Sequence, residues 1–144
     1  MKLACLLALS LLGAATPVLA EKMIIQPKEF PPGGPFNPAV LVDGTLYVSG
    51  QIGRDLKTQK VPDDFEAEVR QALDNIGIIL REAKMNYSDV VAVQVYLTDM
   101  SLFQKMNAVY ITYFKTDRPS RTTLGISKLA VPDAHIEITV TARH

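Results

Sequence analysis

The sequence predicts an α+β fold: one sheet, ordered β-β-α-β-α-β-β along the chain, with both helices on the same side. Three observations carry this. Several segments alternate apolar with polar residues, which is the period of a strand. One long segment repeats its apolar residues at the period of a helix. Finally, Asp43-Gly44 sits between the first two alternating segments. An Asp-Gly pair tolerates positive φ at both positions, as a two-residue hairpin demands. Residues 39–42 and 45–49 are therefore antiparallel neighbours, and Gly50-Gln51 ends the second.

From Asp63 the period lengthens. Phe65, Val69, Ala72, Leu73, Ile76, Leu80 and Ala83 fall on one helical stripe, with Glu66, Glu68, Arg70, Asp74 and Arg81 mostly off it. Asp63 with Glu66 three residues later has the pattern of a capping box, and Pro62 precedes it. In residues 90–97, Val91, Val93, Val95 and Leu97 point one way and Ala92, Gln94 and Tyr96 the other. A second helix follows over residues 101–114, capped by Asp99 or Ser101, with Phe103, Met106, Tyr110 and Tyr113 or Phe114 inward. Residues 121–125 and 136–142 supply the last strands, and Ile136, Ile138, Val140 and Ala142 form the core side of the final one. The other side carries Gln94, Tyr96, Glu137, Thr139 and Thr141. It is semi-polar and uncovered, which predicts a closed homo-oligomer with pockets where subunits meet.

Residues 1–20 stand apart from this pattern. Lys2 precedes an uncharged stretch over residues 3–12, and Val18-Leu19-Ala20 offers a cleavage site of small residues. That is the pattern of a secretory signal peptide and predicts a periplasmic or secreted protein. The apolar run is shorter than the ~20 residues that span a bilayer, so no membrane attachment is expected after cleavage. Cleavage leaves a single domain, residues 21–144. Losing Lys2 lowers Lys+Arg from 15 to 14 against 15 Asp+Glu, a net charge of −1. Nothing in that balance attracts a nucleic acid. The one cysteine, Cys5, leaves with the segment, which excludes disulfides, zinc thiolates and cysteine nucleophiles from the mature chain. His135 and His144 have no metal-ligand spacing, and no glycine-rich phosphate loop is present.

The chemistry-bearing candidates lie near the C-terminus. Alternation puts Arg121 and Thr123 opposite Leu124, read as the core residue of its strand, so both face away from the helices. Glu137 lies opposite Ile136 and Ile138. Arg121 and Glu137 are then expected on one open face, within reach of each other if their strands are neighbours. Arginine suits bidentate carboxylate recognition, and a glutamate can exchange protons with water. By residue type alone, a structural Arg–Glu salt bridge is the favoured explanation of the pair. Asn107 is either a functional donor or a local hydrogen bonder.

Together the segments resemble the RidA/YjgF family of enamine/imine deaminases. The resemblance rests on G-P-F-N-P-A-V over residues 34–40, Y-V-S-G-Q over 47–51 and Q-A-L-D-N-I over 71–76. It continues in M-N-A-V-Y-x-x-Y-F over 106–114, P-S-R-x-x-L over 119–124 and I-E-I over 136–138. It implies a chorismate-mutase-like homotrimer with clefts between subunits. It also implies hydrolysis of enamines and imines of the 2-aminoacrylate/2-iminopropanoate type to 2-oxo acids and ammonia, without metal or organic cofactor. By position Arg121 resembles the clamp on the substrate carboxylate, and Glu137 the group that activates water. Ser49, Gly50, Asn107 and, through its backbone, Thr123 resemble cleft-lining positions. Phe36 stands where relatives often carry tyrosine, and Thr123 where they often carry cysteine. The other reading of the same cleft is a non-catalytic module that binds small carboxylic acids.

Overall fold

In a computed structural model of the chain, residues 21–144 are described; the segment read as a signal peptide, residues 1–20, lies outside them. Seven strands form one sheet: β1 (Met23–Ile25), β2 (Ala39–Val42), β3 (Thr45–Val48), β4 (Gln51–Ile52), β5 (Val90–Leu97), β6 (Ser120–Gly125) and β7 (Ile136–Arg143). The order is β1-β2-β3-β7-β5-β6, with β4 also on β7. All pairings are antiparallel except β5 with β6. Helices α1 (Phe65–Glu82) and α2 (Phe103–Tyr113) cover one face. The predicted order holds, with two short strands added: β1, which pairs with β2, and β4, formed where the second strand was expected to end.

Local chemistry accounts for most elements. Asp43 and Gly44 both have positive φ (48° and 70°), the backbone of the hairpin turn their pairing predicts. The stripe of α1 is buried from Val69 onward, with Val69, Ala72, Leu73, Ile76 and Leu80 fully enclosed and Phe65 half-buried at its start. Each Val, Leu or Ile side chain among them contributes roughly 1.5–3 kcal/mol by leaving water. The helix is capped one residue later than expected: the Asp64 carboxylate, not that of Asp63, accepts from the Ala67 N–H at 2.8 Å. Asp99 caps the short 3-10 turn that leads into α2.

Two bulges reset the strand alternation. Val90 and Ala92 pair with the adjacent residues Ala142 and Thr141, so Val91 is squeezed out of the ladder. It is 49% exposed, contrary to the core position that simple alternation assigned to it. On the other side of β7, Tyr47 pairs with Thr141 and Gln51 with Ile138. Four residues of one strand thus span three of the other. The Thr139 hydroxyl bridges this gap by donating to the Val48 carbonyl.

One buried polar side chain interrupts the apolar layer. Glu68, expected off the stripe of α1, is 0% exposed. Its Oε1 accepts the backbone N–H groups of His135 (2.7 Å) and Ile136 (3.2 Å), while Oε2 lies 2.9 Å from His135 Nδ1. These N–H groups open β7 just beyond the end of β4, so the carboxylate supplies acceptors where pairing stops. Gly53 follows β4 and packs so closely on the Glu68 backbone that a Cβ would overlap its carbonyl. Helix α1 therefore holds both β7, which carries residue 137, and β4 beside it. Removing the carboxylate strands two buried donors, so Glu68→Ala should cost about 3 kcal/mol in urea unfolding. Glu68→Gln, which keeps an acceptor, should cost less; equal stability of Glu68→Ala and wild type would contradict this role.

Candidate functional site

The sequence-predicted site residues separate into two groups. The first surrounds the bulge between β3 and β4. Glu137, opposite Ile52, projects from β7 to the uncovered face with its paired neighbour Tyr96. Its carboxylate lies directly over Gly50, where any Cβ would overlap it. A Cβ there would have to displace that side chain, while the backbone angle at Gly50 is an ordinary one. Ser49 ties the preceding loop to the strand: its hydroxyl donates to the Asn37 carbonyl at 2.7 Å and its N–H to that of Pro38 at 2.9 Å. Beside these residues opens a cavity of about 320 Å³, walled by Phe36, Pro38, Gly50, Ile52 and Glu137. Phe36, 68% exposed, stands at its mouth.

The second group lies on the helix side of edge strand β6. Arg121 and Thr123 pair with Val93 and Val95, whose side chains point into the core. The Arg121 guanidinium rests 4.5 Å from the ring centroid of Tyr110 and 5.8 Å from that of Phe103, both on α2. Its Nη2 donates to Asn107 Oδ1 at 2.8 Å, and Nη1 lies 3.9 Å from the Met106 sulfur. The Tyr110 hydroxyl is buried without a partner, and burial pushes its pKa up, with the Arg121 charge partly opposing. The Thr123 hydroxyl is also buried and unpaired.

Arg121 and Glu137 thus occupy opposite faces of the sheet, against the expectation that they share one. The error began with Leu124: read as core, it is 50% exposed on the uncovered face, so its strand is turned over relative to the expected phase. The intramolecular Arg–Glu bridge is absent too, since among the described residues no carboxylate comes within 4.0 Å of Arg121. Asn107, left open between a functional and a local role, is the direct partner of the arginine. Sequence reading missed the aromatic wall, placing Tyr110 and Phe103 simply in the core. The spacing Phe103, Asn107, Tyr110 does put all three on one helical face and was a usable signal. It also missed Arg54, which lines the cavity and has no sequence signature.

Chemically, the second group is a fixed cation. One edge of the guanidinium is engaged by Asn107 and its face by aromatic rings, leaving N–H groups able to grip a planar anion. The first group is a carboxylate at the rim of a largely apolar cavity. Among the described residues, no cluster of His, Cys, Asp and Glu is arranged to hold a metal, and no helix is long and apolar enough to cross a membrane.

Residues 27–144 match the sequence profile of the endoribonuclease L-PSP family. A RutC family protein from Sulfurisphaera tokodaii is 46% identical over 110 residues, covering 76% of this chain and 87% of the relative. A 2-iminobutanoate/2-iminopropanoate deaminase from Bos taurus is 40% identical over 112 residues, 77% of this chain and 82% of its own. The crystal structure of RidA from an Antarctic Psychrobacter superposes with a TM-score of 0.80 at 31% identity, covering 85% of this chain and 99% of that one.

The contact between Gly50 and the Glu137 carboxylate is open to direct test. Gly50→Ala should turn that half-exposed, flexible side chain aside at a cost below about 1 kcal/mol in stability. A crystal structure of the variant with Glu137 unmoved would contradict the packing described.

Proposed function

The chain belongs to the endoribonuclease L-PSP family, that of the RidA and YjgF proteins, and on this premise we propose that it hydrolyses 2-imino acids to 2-oxo acids and ammonia. The observation that carries the reading is the placement of Arg121 and Glu137. A cation built to grip a carboxylate and a carboxylate built to handle water lie on opposite faces of one sheet. Within one copy they do not meet, so the proposed site forms where two copies join, in a closed trimer with three equivalent clefts.

In each cleft, Arg121 of one copy holds the substrate carboxylate in two parallel hydrogen bonds, braced by Asn107 and the Tyr110 ring. Glu137 of the neighbouring copy orients a water and takes a proton from it as the oxygen attacks the imine carbon. A carbon–oxygen bond forms, and the carbon–nitrogen double bond becomes single. Glu137 returns that proton to nitrogen, giving the carbinolamine, and then relays the hydroxyl proton to the same nitrogen, so that the carbon–nitrogen bond breaks, ammonia leaves and the oxygen becomes the carbonyl of the 2-oxo acid. Positioning and charge complementarity supply the rate, since no covalent intermediate is needed. The setting proposed is outside the cytoplasm, supported by the composition of residues 1–20.

Turnover is measurable by generating imines in situ with an amino-acid oxidase and following their loss in the presence of residues 21–144. Arg121→Ala and Glu137→Gln should each reduce kcat/KM by ~10²-fold or more. Normal activity in Arg121→Ala would sink the proposal. Stabilisation by 2-oxo acids without turnover would favour the binding module instead. Refolding the two inactive variants together should restore about a quarter of wild-type activity, because a random mixture rebuilds that share of the split clefts. No restoration would place both residues in one copy.

A further inference from the structure

We propose that Arg54 reads the far end of the substrate, and that the preferred substrates are 2-imino acids whose side chains end in a carboxylate. The inference rests on the deaminase reading and extends it from reaction to substrate class. It begins from the cavity beside Glu137. At about 320 Å³ this lies at the low end of small-molecule sites, ~300–1,000 Å³, and a three-carbon imine would leave much of it empty. Its walls are mainly apolar, from Phe30, Phe36, Pro38, Ile52 and Leu56, and suit a methylene chain.

Arg54 is the one permanent cation on that lining. Its Nε is buried and donates to nothing, and among the described residues no carboxylate lies within 4.0 Å of the guanidinium. A buried guanidinium N–H without an acceptor is costly, so a bound acceptor at that position gains more than one at the surface. The backbone that launches the side chain is held firmly. Asn75, almost wholly buried, donates to the carbonyls of Ile52 (3.2 Å) and Arg54 (2.9 Å), and its own oxygen accepts from Gln71 at 2.9 Å. Gly53 is clamped against α1. A substrate whose reacting carbon sits at Glu137 and whose side chain runs along the apolar wall would meet Arg54 with its terminal group. A side-chain carboxylate satisfies both the unpaired N–H and the uncompensated charge.

The test compares the imine of glutamate with that of norvaline, close in length but without the terminal charge, each made in situ by an oxidase. The wild-type protein should prefer the dicarboxylic imine by about tenfold or more in kcat/KM, and Arg54→Leu should bring that ratio to about one. A wild-type ratio near one, or a ratio unchanged in Arg54→Leu, overturns the inference. Thermal shifts with 2-oxoglutarate and 2-oxopentanoate decide it without turnover. Selective stabilisation by 2-oxoglutarate that disappears in Arg54→Leu supports it; equal shifts overturn it. Absence of turnover on both imines would count against the deaminase reading alone.

Discussion

The pleat of β7 is the constraint on which the rest of the structure depends. A strand sends successive side chains to opposite faces, and β7 has ladder partners on both sides, so its residues cannot rotate to choose a side. Ile136, Ile138, Val140 and Ala142 go to the helices and are buried. Glu137, Thr139 and Thr141, between them, go to the uncovered face. The same ladder that closes the core thus fixes where the carboxylate stands. The supports at its start, Glu68 from α1 and Gly50 from the bulge, act on a strand whose phase is already set.

Arg121 is governed by the opposite circumstance. It lies on β6, an edge strand at the margin of the helical layer, where the core is thin and water is near. A fully buried guanidinium needs a paired anion. Here it is partly exposed and receives ring faces and one amide oxygen instead, an environment that favours the cation by about 0.5–2 kcal/mol. This keeps the group oriented while leaving donors unused. A salt bridge with Glu137 in the same subunit would have consumed both groups.

The uncovered face gives the separation its meaning. Ile24, Tyr47 and Leu124 are substantially exposed on it, beside Gln94, Tyr96 and three threonines. A large sheet face of mixed polarity with exposed aromatic and aliphatic side chains is a surface suited to association. Joining copies through such faces brings groups from different chains together, which is how a sheet with its two reactive groups on opposite sides can form one cleft. Arg54 fits the same logic: it belongs to the cavity on the Glu137 side, remote from the Arg121 wall, so in the proposed cleft the two ends of a substrate would be held by different copies.

By itself the sequence determined the helical stripe of α1, the Asp43-Gly44 turn and the core side of β7, and it singled out Arg121 and Glu137 as candidates for chemistry. All of these follow from local periods and local backbone preferences. Tertiary structure decided the rest. Val91 left the core because β5 bulges against β7, and a bulge belongs to a pair of strands, not to either one. Glu68 was buried because the start of β7 needed acceptors, a demand raised 67 residues away along the chain. The facing of Arg121 was decided by its parallel pairing with β5: a short edge strand with threonines and one leucine alternates equally well in either phase, and only the neighbour's register selects between them.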